Sequence, residues 1–177
     1  MDCPLDCEYL RESRKHEKLA PLDPEAIPNR DIRVSDNFLD EHQSLTAFLG
    51  RAVANAALAT PGAADADVRE AMESLVRTYR TRQSGVVYES RPANPLAAAI
   101  FDAAQAAVPA FLRAEQQEFG MSRTRDADVL GILVFLERMG LANDNGRRLG
   151  RTFLGLLWEF YGGGAPPPRP VSSLIFP

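Results

Sequence analysis

Apolar residues recur at every third or fourth position along most of this chain, the spacing of an α-helix with one buried side. Between Ser35 or Asp36 and about Ala59, one stripe is formed by Phe38, Leu45, Phe48, Leu49, Ala52, Val53 and Ala56, and Thr60, Pro61 and Gly62 end it. From about Asp65 to Arg82 the stripe is Val68, Met72, Leu75, Val76 and Tyr79, and Gly85 stops it. Asn94 followed by Pro95 is a start signal, because the amide side chain can accept a free N–H and proline sits where an N–H would have no intrahelical partner. The alanine-rich helix that follows buries Leu96, Ile100, Phe101, Val108, Phe111 and Leu112; Pro109 should kink it and Gly120 should end it.

The next helix, capped by Thr124 or Asp126, runs to Met139. Its stretch Val129–Leu136 is apolar on nearly every side except at Gly131, so this rod belongs at the centre of a bundle. Asn143, Asp144, Asn145 and Gly146 make a tight turn into a last helix, about Arg147 to Tyr161. That helix buries Leu149, Phe153, Leu156, Leu157 and Phe160, with Leu154 and Trp158 widening the apolar face, before Gly162, Gly163 and Gly164 stop it.

Before these helices, Pro4 to about Leu19 predicts a charged, peripheral helix whose apolar contacts are Leu5, Tyr9 and Leu10. Pro21, Pro24 and Pro28 make the connection extended. Val86, Val87 and Tyr88 make an extended piece too short to be a sheet. The expectation is an all-α fold: a compact bundle of about six helices with a proline-rich C-terminal tail. Residues 1–20 hold the peripheral helix, residues 35–161 the bundle domain and residues 162–177 the Gly/Pro-rich tail. A parallel α/β fold would need strands between the helices, and the pattern has none.

Length and charge narrow the function classes. A chain of 177 residues suits one domain that needs neither metal nor disulfide merely to fold. A net charge of −4 and a pI near 5.3 argue against nucleic acid or an anionic membrane as a global partner. The first twenty residues carry no apolar core behind a basic start, and the apolar stretch Leu96–Leu112 is interrupted by Asp102, Gln105 and Pro109. The expectation is therefore a cytoplasmic protein with no membrane partner. Two cysteines make no disulfide scaffold.

Those two cysteines are the first chemical candidate. Cys3 and Cys7 are four residues apart at a predicted helix start, which stacks both sulfurs on one face where the helix dipole favours thiolate. With His16, or with His42 arriving from the next helix, they could contribute to a zinc site or a redox pair. Structural zinc, however, usually takes two close ligand pairs, and a thioredoxin-type motif has two residues between its cysteines rather than three. The plainer alternative is that both sulfurs are small apolar fillers.

Arginines are the second candidate. Arg147, Arg148 and Arg151 open the predicted last helix, against the preference of that end for acids. An external anion, held by guanidinium groups and free N–H groups together, would compensate them. So would an acid of the same chain, with Asp126, Asp128, Glu137 and Asp144 nearby in sequence. Reading Asp126–Tyr161 as a DNA-binding helix-turn-helix fails because the second helix spends its surface on packing. Arg77, Arg80 and Arg82 sit at a predicted helix C-terminus, where basic residues are ordinary.

No phosphate-binding glycine loop, His-Glu-x-x-His zinc motif, nucleophile elbow or paired Glu-x-x-His set is present. The leading expectation is a helical module without catalytic activity that binds a partner protein or a second copy of itself, with Leu174, Ile175 and Phe176 of the tail folding back onto the bundle. The alternatives are a zinc-binding or redox-responsive protein using Cys3, Cys7 and His16, and an anion or nucleic-acid binder using Arg147, Arg148 and Arg151.

Overall fold

The computed structural model describes Glu12, residues 24–86 and residues 88–162. The Pro4–Leu19 segment with Cys3, Cys7 and His16, and the tail beyond Gly162, lie outside the described residues, as does Val87. Within them the chain is helical: a 3-10 turn at Pro24–Ala26, then α1 (Asp36–Glu41), α2 (Gln43–Ala59), α3 (Asp65–Gln83), α4 (Pro95–Phe119), α5 (Asp126–Ala142) and α6 (Thr152–Tyr161), with no strand among the described residues. The expected all-α bundle is what forms. Packing is most extensive between α3 and α5, then between α2 and α4, α3 and α4, and α2 and α6.

Local signals set several boundaries. The Ser35 hydroxyl accepts from the Phe38 N–H at 3.3 Å and starts α1. The Asn94 side chain accepts from the Leu96 N–H at 3.0 Å, with Pro95 just inside α4. Gly120 ends α4 at φ 75°, a left-handed conformation that costs glycine nothing. The helix continues through Pro109 to Phe119, but its buried residues stop at Val108. Its outer end is tied to the next loop by Glu115, whose carboxylate accepts from the N–H groups of Arg123 (2.9 Å) and Thr124 (3.1 Å) and from the Ser122 and Thr124 hydroxyls. Burial works against this carboxylate, yet the Thr124 N–H, the Ser122 hydroxyl and the Arg123 N–H hold its pKa below the ordinary range.

Three boundaries differ from the periodic reading. The single helix expected from Ser35 to Ala59 is two, because His42 leaves helical geometry at φ −109°, ψ 24°. Neither Thr124 nor Asp126 caps α5. Arg125 holds that position, and Asp128 reaches back to accept its N–H at 2.8 Å. The last helix begins at Thr152 rather than Arg147, so Leu149 lies in the preceding turn, 75% exposed, and is not a core residue.

As expected, α5 is buried on nearly every side, with Val129, Leu130, Ile132, Leu133, Val134 and Leu136 all in the core, but it is not the hub of the bundle: its extensive packing is against α3, and α2 and α3 are the helices that meet the most others. Each such side chain contributes on the order of 1.5–3 kcal/mol by leaving water. The gap at Gly131 has a physical purpose. A Cβ there would lie 2.6 Å from the Phe38 ring, so the absent side chain is the seat on which α1 rests. The break at His42 is what separates α1 from the line of α2, and the His42 ring stacks obliquely on Phe38 at 4.6 Å. A similar seat explains why Phe160 is 68% exposed although the helical period assigns it to the core. The ring of Tyr161, not Phe160, fills the space over Gly50 of α2, and Arg51 donates its Nε–H to the Tyr161 carbonyl at 3.0 Å.

Gly131→Val should displace the Phe38 ring and cost about 1–3 kcal/mol in chemical denaturation, the usual scale for overpacking. The same change made on a Phe38→Ala background should cost clearly less, because the clash has been removed. Equal costs on both backgrounds would show that Phe38 is not the group that needs the space.

Candidate functional site

The arginine cluster does not open a helix. Arg147 and Arg148 lie in the exposed turn before α6, and Arg151 occupies its cap position without a side-chain cap bond. The donors at this helix start are already engaged. Asp65, the first residue of α3, accepts the Phe153 N–H at 3.1 Å through one oxygen and the Leu154 N–H at 2.9 Å through the other. In return the Asp65 N–H donates to the Gly150 carbonyl at 2.8 Å. The carboxylate is 6% exposed. Burial pushes its pKa up, and the N–H groups of Leu154, Phe153 and Thr152 pull it back without cancelling the rise. The acceptor for these backbone N–H groups is therefore internal, and it is none of the four acids close in sequence.

The same turn of α3 reaches a third helix. Asp67 accepts the Ala64 N–H at 2.8 Å and caps α3 itself, while its other oxygen accepts from the Asn94 amide at 2.6 Å. Asn94 is the cap of α4. The turn carrying the arginines is held the same way: Asp144 accepts the Gly146 N–H at 2.9 Å and pairs with Arg69, and Asn145 joins the Arg147 N–H (3.0 Å) to the Thr152 hydroxyl (2.7 Å).

The arginines that end α3 are likewise engaged. Arg77 meets Glu73 and Ser74, and Arg82 pairs with Asp126 at 3.4 Å while lying over the Tyr79 ring. Arg80 has the more consequential role. It grips Asp31 through two nitrogens at 2.6 and 3.0 Å and donates Nε–H to the Asn29 side chain at 2.9 Å. Asn29, at φ 55°, donates its amide to the Glu137 carboxylate at 2.7 Å. Arg138 closes the clasp from α5, donating to the carbonyls of Pro28 (3.2 Å), Asn29 (2.7 Å) and Ile32 (3.1 Å). The segment 28–32 is thus pinned to both α3 and α5. Glu137 is 6% exposed, and burial raises its pKa despite the Asn29 amide.

Beside this clasp the C-terminal end of α5 comes to the surface. Ile27, Phe135, Met139, Leu141 and Ala142, with Arg138 and Asn143, line an open groove of about 320 Å³ at the C-terminal end of α5. Its polar members already have partners, Arg138 in the clasp and Asn143 through its amide to the Met139 carbonyl at 2.8 Å. Sequence reasoning missed both groove and clasp. Asn29 after Pro28 signals a turn, but no spacing connects residue 29 with residues 80 and 137.

Among the described residues no group of three or more His, Cys, Asp or Glu side chains is gathered as a metal site would need. Cys3, Cys7 and His16 lie outside them. His42 sits between Phe38 and Asp128, its Nε2 3.6 Å from the carboxylate. By length and composition α4 is apolar enough to cross a membrane, and its Ile100, Phe101 and Ala104 side is buried in the bundle. No family model, no curated protein and no solved structure matches this chain.

Asp65→Ala should lower stability by about 2–4 kcal/mol, since two buried donors lose their acceptor. In a domain of this size that lowers Tm by on the order of 10 °C. Asp65→Asn keeps one acceptor oxygen and no charge to desolvate, so it should lose less than half as much. Equal losses for the two variants would refute the capping role.

Glu137 gives a pH dependence of definite sign. Its folded pKa is raised, so its contribution is fully present below the ordinary carboxylate range and is lost as pH rises through the folded value. Glu137→Gln cannot titrate, so urea midpoints at pH 4 and pH 7 should show the variant gaining on the parent as pH rises. A trend in the other direction would mean that Arg80 and Arg138 outweigh burial.

Proposed function

We propose that this protein is a helical module without catalytic activity of its own, working in the cytoplasm by binding a partner protein through the groove at the end of α5. One observation carries the reading. Five apolar side chains face an open groove whose two polar members are already hydrogen-bonded within the protein. An occupant thus gains apolar burial without having to satisfy displaced polar groups, and each well-buried side chain is worth on the order of 1.5–3 kcal/mol. The space admits a few side chains rather than a folded surface. The matching partner is an amphipathic segment presenting Leu, Met or Phe along one side, the helix-in-groove mode of recognition.

The charged groups support the reading from the other direction. Asp65, Asp67, Glu115, Asp144 and Arg80 are spent on caps, turns and the clasp, and Arg138, the one charged group in the groove's lining, is spent on the clasp as well.

A photo-crosslinking residue at Leu141, in the full chain and in extract of the cells that make it, should capture one or a few proteins. Met139→Glu in the same chain should abolish the adducts. Adducts no different from those formed by the same probe at exposed Glu118 would refute the groove as the binding site.

A further inference from the structure

We infer that residues 27–34 are a strap whose clasp makes and unmakes the groove, so that Arg80 of α3, which does not line the groove, controls what the groove can hold. The inference rests on the proposed use of the groove and adds its control. Among the described residues Ile27 is the one wall that does not come from α5 or its cap Asn143. Without Ile27 the groove is only the flank of a helix end, which covers one side of an occupant and not two.

The strap is attached unevenly. Residues 27–34 contain no helix, and among the described residues the one backbone–backbone bond they make is internal, from the Ile32 N–H to the Asn29 carbonyl at 3.0 Å. Ile32 and Val34 pack on the core and keep that end of the strap in place. The end that carries Ile27 depends on side chains: Arg138 reaches the carbonyls of Pro28, Asn29 and Ile32, and Arg80 holds Asp31 and Asn29. These attachments are poised rather than locked. The Arg80 and Asp31 side chains are 36% and 66% exposed, and ion pairs so open to water add little to stability. Asn29 sits at φ 55°, a conformation that asparagine tolerates better than most residues but adopts at a cost.

Closure and occupancy are therefore coupled. An occupant seated between Ile27 and α5 binds the closed form better than the open one, so it draws the clasp shut. Weakening the clasp lowers the apparent affinity in proportion to the fraction left closed. Arg138 joins the two events directly, since one guanidinium both lines the groove and holds the strap.

The test places a diazirine-bearing leucine analogue at Leu141 in the full chain. In purified protein it should form internal adducts with the strap around Ile27. Arg80→Ala should reduce them several-fold, while helix content by circular dichroism stays at the parent's value. Asp31→Asn breaks the same pair from the strap side and should act in the same direction, which keeps the test open if Arg80→Ala loses helix. Added to Arg80→Ala, it should cause no further loss, whereas two unrelated destabilising changes would add. In cell extract Arg80→Ala should also lower the external adducts several-fold. Strap adducts absent from the parent, or unchanged in both variants, overturn the inference. So do external adducts undiminished on a chain whose strap adducts have gone, a result that keeps the partner and shows that it needs no second wall. A parent with Arg80-dependent strap adducts and no external ones removes the partner and leaves the strap as the device that shapes the groove.

Discussion

The carboxylate of Asp65 on the first turn of α6 is the contact around which the bundle closes. A helix start taken out of water must find acceptors for its free N–H groups, and α6 has none of its own, since Arg151 stands where Ser, Thr, Asn or Asp would normally cap. The acceptor comes from 88 residues earlier in the chain. Burying that charge is expensive, and two N–H bonds and the positive end of the helix offset the loss of water only in part. The same turn of α3 caps itself through Asp67 and steadies Asn94, the cap of α4. One turn therefore fixes the starts of three helices, so they cannot slide independently.

This arrangement explains what could be read from the amino-acid order and what could not. Periodic apolar stripes identify the helices because burial of one side is a local property of each rod. Ser35, Asn94–Pro95 and Gly120 mark ends because their caps are made within a few residues. The start of α6 escaped the same logic because its cap is remote. Arg147 and Arg148 looked like the beginning of a helix, yet they lie in the turn before it, and the N–H groups of the actual start are held by Asp65. Leu149 and Phe160 fit the helical period and are still exposed, the first because the helix starts later, the second because Gly50 gives its place to Tyr161. The break at His42 and the void at Gly131 are two halves of one packing decision, visible only once α1 lies on α5.

The candidate site lay further from reach. The groove at the end of α5 is made by the emergence of a core helix at the surface, so its Phe135 and Met139 read as ordinary interior residues. The clasp beside it joins residues from three distant parts of the chain, with Asn29 in a left-handed conformation that only the finished packing holds in place. The charges gathered at the clasp are used in holding the protein's own segments together.

The uneven burial of α4 has a dynamic consequence. Its first half is locked against α2 and α3 through Val108, and Phe111 and Leu112 still pack on the core, with Phe111 against the Phe48 ring of α2, whereas the stretch from Arg113 to Phe119 rests on little besides the grip of Glu115 on the following loop. Stability within a domain follows buried contacts more closely than helix-forming tendency. The last turns of α4, beyond Leu112, are therefore where that helix should open first, with amide protons exchanging ahead of those in the remaining bundle. Rich as they are in good helix formers, these turns are the softest part of that rod.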